Sequence, residues 1–258
     1  MLLAVERMRE ITKLVQVHSS VRVVDLAQRF LVSGETIRRD LEMLEREGFV
    51  RRVYGGAVSS QQEPVRLYRE RELHRQAEKR AIGALASTLV QDGDSLILDV
   101  GTTVRTFCDF LDDKQNLTVL TPSLLVAQVM KRSGVRVLVT GGDLQEDEPY
   151  LVGEKAEEML RHYYVNRAFI GVGGMSFDIG LTDFNELEVS LRKVILERAE
   201  QVVVLADSSK FGVRAFSVIA DIHRIDVLVT DANIHEDTRL QLEAIGVEVM
   251  VAHVPSTS

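Results

Sequence analysis

Between residues 95 and 252 the chain repeats one pattern: short runs of Val, Ile and Leu, most of them separated by segments of helical periodicity. The runs are SLILDV (95–100), LTVL (117–120), VRVLVT (135–140), RAFIGVG (167–173), QVVVLAD (201–207), DVLVTD (226–231) and VEVMVA (247–252). Helical segments fall near 103–111, 123–132, 153–163, 186–199 and 236–245. A strand that is apolar along its whole length is buried on both faces, so this alternation predicts an α/β fold. The expected architecture is a mainly parallel sheet covered by helices on both faces. A ligand of such a sheet sits beyond the carboxyl ends of its strands.

Those ends share one character. They read DVGTT (99–103), TPS (121–123), TGGD (140–143), GVGGM (171–175) and ADSSKFG (206–212). Small, hydroxyl and glycine residues leading into helices expose backbone N–H groups where anions are favoured, and Lys210 can add a counter-charge. One such loop is what any tight turn requires, but five on one edge point to a phosphorylated ligand. Asp99 and Asp207 each end a strand and suit either a turn cap or a ligand contact.

The front of the chain differs. Residues 1–80 hold 16 Lys/Arg against 12 Asp/Glu, and the remainder holds 15 against 27, which together give the net charge of −8. A locally basic front favours a phosphate backbone, whereas the acidic remainder repels it. Val5, Met8, Ile11, Leu14 and Val15 recur at helical spacing over 5–17, and VRVVDLAQRF continues as a short second helix. A third helix follows Ser33 as N-cap, with Glu35 in its first turn and Gly48 closing it. Ile37, Leu41 and Leu44 form its apolar stripe, with Thr36, Arg39, Asp40 and Glu42 off it. FVRRVYGGAV then reads as a hairpin about Gly55-Gly56, completing a winged helix-turn-helix. The expected division is a winged domain over 1–58, a polar linker over 59–80 running into a helix near His74, and an α/β domain over 81–258.

Composition excludes several classes. The 258 residues, 45% hydrophobic and 27% charged, suit one large and one small globular domain. Cys108 is the sole cysteine and cannot form an internal disulfide, and the six histidines show no metal-ligand spacing, so no metal or cofactor is expected. The opening MLLAVERMRE turns polar after five residues and no apolar run approaches a membrane span. The expectation is a cytoplasmic protein without a membrane partner.

VSGETIRRDLEMLEREG followed by RRVYGGA resembles the signature of the DeoR family of bacterial transcriptional regulators. LDVGTT, TGGD, GLTDFNELE and LADSSKFG resemble, in order, landmarks of that family's sensor domain, so the resemblance spans almost the whole chain. It implies a regulator, expected to be a repressor of a carbohydrate-utilisation operon. The partners implied are double-stranded operator DNA and a phosphorylated sugar effector, with a sensor fold similar to ribose-5-phosphate isomerase. Two positions depart from the family pattern: Pro122 stands where asparagine is usual, and Arg192 where lysine is common.

For DNA, the candidates are Ser33, Gly34, Glu35, Thr36, Arg38 and Arg39 at the start of the third helix, entering the major groove, and Arg51, Arg52 and Tyr54 on the wing. Outside a winged context, Arg38 and Arg39 would simply pair with Glu35, Glu42 or Asp40. In the sensor, Gly101, Thr102 and Thr103 are expected to cradle the phosphate with Thr121, Ser123, Gly141, Gly142, Gly173 and Asp99 nearby, and Lys210 to neutralise it. Asp183, Asn185 and Glu188 would meet sugar hydroxyls and Arg192 would close one side; Met175 and Phe177 read as wall. No residue is assigned a catalytic role, since Gly173 and Gly174 stand where an isomerase carries acids; the alternative is an isomerase-like enzyme with an appended DNA-binding domain. A homo-oligomer, dimer or tetramer, is expected from the symmetry of operator half-sites.

Overall fold

The protein is described by a computed structural model covering residues 4–18, 20–46, 49–53, 55–59, 68–132, 134–145 and 148–254. The front unit contains α1 (Ala4–His18), β1 (Ser20–Arg22), α2 (Val23–Phe30), α3 (Gly34–Arg46), β2 (Val50–Val53) and β3 (Gly56–Ser59). Its strands pair antiparallel in the order β1-β3-β2, so the expected hairpin gains a third strand too short to be read from sequence. Ser33 caps α3, its Oγ accepting from Thr36 N at 3.1 Å. The stripe of Ile37, Leu41 and Leu44 packs with Ile11, Val15, Leu26 and Phe30.

Asp40 corrects the expected polar face of α3. It is 4% exposed and accepts from Arg7 Nε at 2.5 Å and Nη2 at 3.0 Å. This two-pronged pair ties α1 to α3 inside the unit, the geometry in which a buried charge is tolerated. Gly48 and Tyr54 lie outside the described residues, as does the Arg51 side chain.

The connector also differs from the linker expected. A helix begins earlier, as α4 (Tyr68–Leu73), and a second, α5 (Gln76–Ala86), follows after a break. At the break Arg75 adopts a left-handed backbone, φ 52°. That conformation disfavours a side chain, but here the chain is anchored: Arg75 Nη1 donates to Ser208 Oγ at 3.1 Å and its guanidinium lies within 4 Å of Asp207 and Asp231.

The remainder is the expected α/β unit. It runs β4 (Ser95–Leu98), α6 (Thr102–Cys108), β5 (Leu117–Thr121), α7 (Leu124–Met130), β6 (Val135–Val139), β7 (Asp143–Leu144) and β8 (Leu151–Val152). It continues through α8 (Glu154–Arg161), β9 (Val165–Ile170), β10 (Gly174–Ser176), β11 (Gly180–Asp183), α9 (Glu186–Glu197) and β12 (Ala199–Leu205). It closes with β13 (Ser217–Ala220), β14 (Val227–Asp231), α10 (Glu236–Ala244) and β15 (Glu248–Ala252). All seven expected runs supply the main sheet, which is parallel and ordered β15-β14-β12-β9-β4-β5-β6.

Alternate residues of each strand face opposite cores. Leu96 and Leu98 of β4 join Ile82, Val104, Phe107 and Val126 of α5, α6 and α7. Ile97 faces Leu160, Ile195 and Leu242 of α8, α9 and α10. Two small sheets, β7-β8 and β10-β11-β13, were not foreseen. Strand order reverses direction between β4 and β9, which opens a crevice beyond their carboxyl ends.

Candidate functional site

At the front, Ser33, Glu35, Arg38, Arg39 and Arg52 are exposed, and Gly34 and Thr36 are partly so. Arg38 Nη1 lies 3.3 Å and Arg39 Nε 3.9 Å from the Glu35 carboxylate. These pairs are well solvated, so a phosphate can replace Glu35 as partner at little cost. Arg52 turns its backbone N–H to Glu45 Oε1 at 2.6 Å and leaves its guanidinium at the surface.

The crevice at the reversal of strand order is a cavity of about 1080 Å³. The structure brings together on its wall Gly101, Thr102 and Thr103 after β4, Gly173 after β9, Asp183, Asn185, Glu188 and Arg192 on β11 and α9, and Lys210 after β12. Gly173 packs closely on β11: a Cβ there would lie about 3.0 Å from Asp183 atoms, so a larger residue would press on Asp183. The Gly101 N–H is already engaged, donating to Glu148 Oε1 at 2.7 Å.

Five expected residues lie off that wall. Thr121 and Ser123 are buried and serve the fold: Ser123 N donates to Thr121 Oγ1 at 3.0 Å, and Ser123 Oγ accepts from Val126 N at 3.3 Å, capping α7. Gly141 and Gly142 form the turn into β7, where Gly142 has φ 122° and passes so near β8 that a Cβ would lie 2.2 Å from the Val152 carbonyl oxygen. Asp99 sits behind the wall, fully buried, accepting from Arg192 Nε at 2.6 Å and from Gly171 N at 3.2 Å. Of the other two wall candidates, Met175 is fully buried and Phe177 is exposed, and neither lines the cavity. Asp207 does line it, while capping the turn 208–210 through Ser209 N at 3.0 Å.

Arg192 is the electrostatic hub. Only 2% exposed, it donates from Nε to Asp99, from Nη1 to Asp183 at 2.7 Å and from Nη2 to Glu188 at 3.0 Å. A planar fork meets three carboxylates in a way an ammonium could not. Burial, then the Asp183 charge, pushes Glu188 up to about 7 despite Arg192. A polar chain extends from it: Tyr150 Oη donates to Glu188 Oε1 at 2.9 Å, and Asn185 Nδ2 donates to Tyr150 Oη at 2.8 Å. Asn185 also caps α9, accepting from Leu187 N at 3.0 Å. Such a chain, part donor and part acceptor, suits a polyol.

Several wall residues escaped the sequence reading: Arg71, His74 and Lys79 from the connector, Glu148 and Tyr150 before β8, and Arg214. Arg71 Nη2 donates to Glu148 Oε2 at 3.0 Å, holding the connector against the α/β unit. One signal was available. Lys79 shares the spacing of Ile82, Gly83 and Ala86, so it stands as a charge within the buried stripe of α5. Among the described residues, no group of His, Cys, Asp and Glu could hold a metal ion, and no helix is long and apolar enough to cross a membrane.

The winged front and the α/β remainder match known proteins along nearly their whole length. Residues 7–63 match the DeoR-like helix-turn-helix domain, and residues 74–232 match the DeoR C terminal sensor domain. An uncharacterized HTH-type transcriptional regulator, YulB of Bacillus subtilis (strain 168), is 39% identical over 96% of each chain. The glycerol-3-phosphate regulon repressor of Escherichia coli (strain K12) is 28% identical, covering 88% of this chain and 90% of its own. Ribose 5 phosphate isomerase A from Neisseria gonorrhoeae overlaps 53% of each chain at 15% identity and a TM-score of 0.40, an overlap too slight to bear on function. With both of its domains matched and a relative of that identity aligned end to end, the chain belongs to the DeoR family of HTH-type transcriptional regulators.

Proposed function

We propose that the chain represses a carbohydrate-utilisation operon by binding its operator as a homo-oligomer, and that a phosphorylated sugar intermediate in the sensor cavity alters that binding. One observation carries the ligand reading: a polyol-matching chain, Asn185, Tyr150 and Glu188, shares a cavity with Lys210, which pairs with no carboxylate among the described residues. Hydroxyls at one end and an anion at the other describe a sugar phosphate. The glycerol-3-phosphate regulon named for one relative is consistent with that chemistry. Exposed Arg38 and Arg39 on α3, with the wing beside them, supply the cationic face for the duplex.

We read the cavity as a sensor without turnover. Asp99, Asp183 and Glu188 are all tied to the Arg192 guanidinium, so none is left free to take a proton from a substrate carbon.

The test titrates the full chain against labelled duplexes from DNA flanking its gene. Ribose 5-phosphate, glucose 6-phosphate, glycerol 3-phosphate and their unphosphorylated parents are added in turn. The expected result is sequence-specific binding that only phosphorylated compounds shift, with no interconversion of the sugars. Absence of any specific duplex defeats the operator reading, and measurable interconversion defeats the sensor reading.

A further inference from the structure

Arg75 stands at the elbow between α4 and α5 with φ 52° and ψ 41°, in the left-handed region. There a Cβ crowds the following carbonyl oxygen, so glycine makes a bare bend without that cost and asparagine makes it more cheaply. The long side chain carried at this strained position crosses to the α/β unit. Its Nη1 donates to Ser208 Oγ at 3.1 Å, and guanidinium nitrogens lie 3.7 Å from Asp207 and 3.9 Å from Asp231. A sparsely populated backbone persists where surrounding contacts of this kind hold it.

What Arg75 grips is the turn 208–210 after β12. On the front of that turn Asp207, Ser209 and Lys210 line the cavity, whereas neither Arg75 nor Ser208 does. On its back Ser208 is held twice, its Oγ by Arg75 and its N–H by the buried Asp231 Oδ2 at 2.6 Å. One short turn therefore has ligand space on one side and the connector elbow on the other. The grip is also releasable. The Arg75 side chain is 28% exposed and both charge contacts exceed 3.5 Å, whereas the Arg192 side chain is 3% exposed and makes three hydrogen bonds of 2.6–3.0 Å. A partly solvated pair is exchanged for water at little cost. A strained elbow under such a restraint has two arrangements close in free energy, which a ligand can shift.

Arg71 and Lys79 fasten the same elbow from the cavity side, Arg71 to Glu148 and Lys79 to the Arg71 carbonyl oxygen. Both line the cavity, so a change at either alters ligand contact as well as geometry. Arg75 differs from them in standing outside it. We propose that Arg75 is a latch, a positioning residue through which occupancy of the cavity sets the angle between α4 and α5. Ligand contact with Ser209 and Lys210 shifts the turn to which Ser208 belongs, the Arg75 grip changes, and α4 turns the chain that leads back to the winged domain. The inference rests on the reading of the cavity as a ligand sensor and names the contact that carries its signal to the connector.

The experiment uses the full chain, its operator duplex, and whichever of ribose 5-phosphate, glucose 6-phosphate and glycerol 3-phosphate shifts wild-type binding to that duplex. Arg75→Asn keeps a residue that tolerates the left-handed backbone and removes the guanidinium. It is expected to bind the sugar phosphate with an affinity within about 3-fold of wild type, while the sugar phosphate's effect on operator affinity shrinks about 3-fold or more. Arg75→Lys should recover part of that effect. Ser208→Ala, which removes the acceptor from the other side, should reproduce the loss, and the two changes together should do no more than either alone. An undiminished effect in Arg75→Asn overturns the latch, as does loss of ligand affinity and of the effect in equal measure, which would mark a merely structural contact. Should Arg75→Asn fail to fold, Ser208→Ala and hydrogen exchange of residues 68–79 in wild type decide the matter. Exchange there that changes on adding the sugar phosphate supports the latch, and constant exchange overturns it. If none of the three compounds shifts wild-type binding, the sensor reading fails and the latch with it.

Discussion

Arg22 Nε of the winged unit lies 3.6 Å from Glu186 Oε1, the first residue of α9 in the sensor. The wing turn closes against the same place: a Cβ on Gly56 would meet the Phe216 ring at 2.5 Å, and one on Gly55, where φ is 87°, would meet the Glu186 carboxylate at 2.4 Å. Glu186 follows Asn185 and precedes Glu188, both on the cavity wall. The first turn of α9 thus touches ligand space on one side and the wing on the other. The double variant Glu186→Ala, Phe216→Ala is expected to leave ligand affinity unchanged while shrinking the ligand's effect on operator affinity. Effects of this kind typically span about 5- to 150-fold. Operator titrations with and without saturating sugar phosphate measure it, and an undiminished effect would show that the wing contact carries no coupling.

At the duplex, Arg39 on α3 is exposed and, among the described residues, its ion pair is a loose one with Glu35 at 3.9 Å, which a phosphate can replace. Arg39→Ala is expected either to flatten the salt dependence of operator binding by about one unit, as a phosphate contact would, or to cost about 1–3 kcal/mol at one operator position, as a base contact would. Fluorescence anisotropy across a salt series separates these outcomes. Unchanged binding removes this face from the interface.

Arg192→Met strands Asp99, Asp183 and Glu188 in a buried site without their cation. Removing one member of a buried ionic cluster costs about 3–5 kcal/mol. Urea unfolding should show that loss, and Arg192→Lys should restore only part of it, since a single ammonium cannot reproduce the three-way fork. A variant as stable as wild type would mean the cluster is not a structural hub.

Glu188 gives stability a pH signature. Its carboxyl is pushed up to about 7 from an ordinary 4.5, so between those values the folded chain keeps a proton that the unfolded chain has released. The resulting stabilisation is full below about 4.5 and is lost as pH rises through about 7, a change on the order of 3 kcal/mol. Glu188→Gln cannot titrate and should lack that component. Urea midpoints compared across this range decide the matter, and parallel profiles for the two proteins would refute it.

The main sheet was legible because its strands are buried on both faces. Runs such as QVVVLAD carry an apolar signal that no surface segment needs, and they fell within three residues of the observed strands. The strands of β10-β11-β13 were not legible: they span three or four residues and two of them begin at glycine, so no periodicity accumulates. Half of the site was read from the loops after β4 and β12 and from the start of α9. Thr121, Ser123 and Gly142 misled because the residue types that receive a ligand also cap helices and allow close backbone passage. The Arg192 cluster was hidden for another reason, its partners lying up to 93 positions away. Lys79 and Arg71 sat in a polar stretch that looked like solvated linker, and only the tertiary fold turned that stretch inward.

The inward turn of the connector has a practical corollary. A fragment cut at residue 81, where the composition changes, would leave behind the three side chains that wall one flank of the cavity, Arg71, His74 and Lys79. Such a fragment could keep its sheet and still fail to recognise its metabolite, so the seam along which this regulator divides in sequence is not the one along which its labour divides.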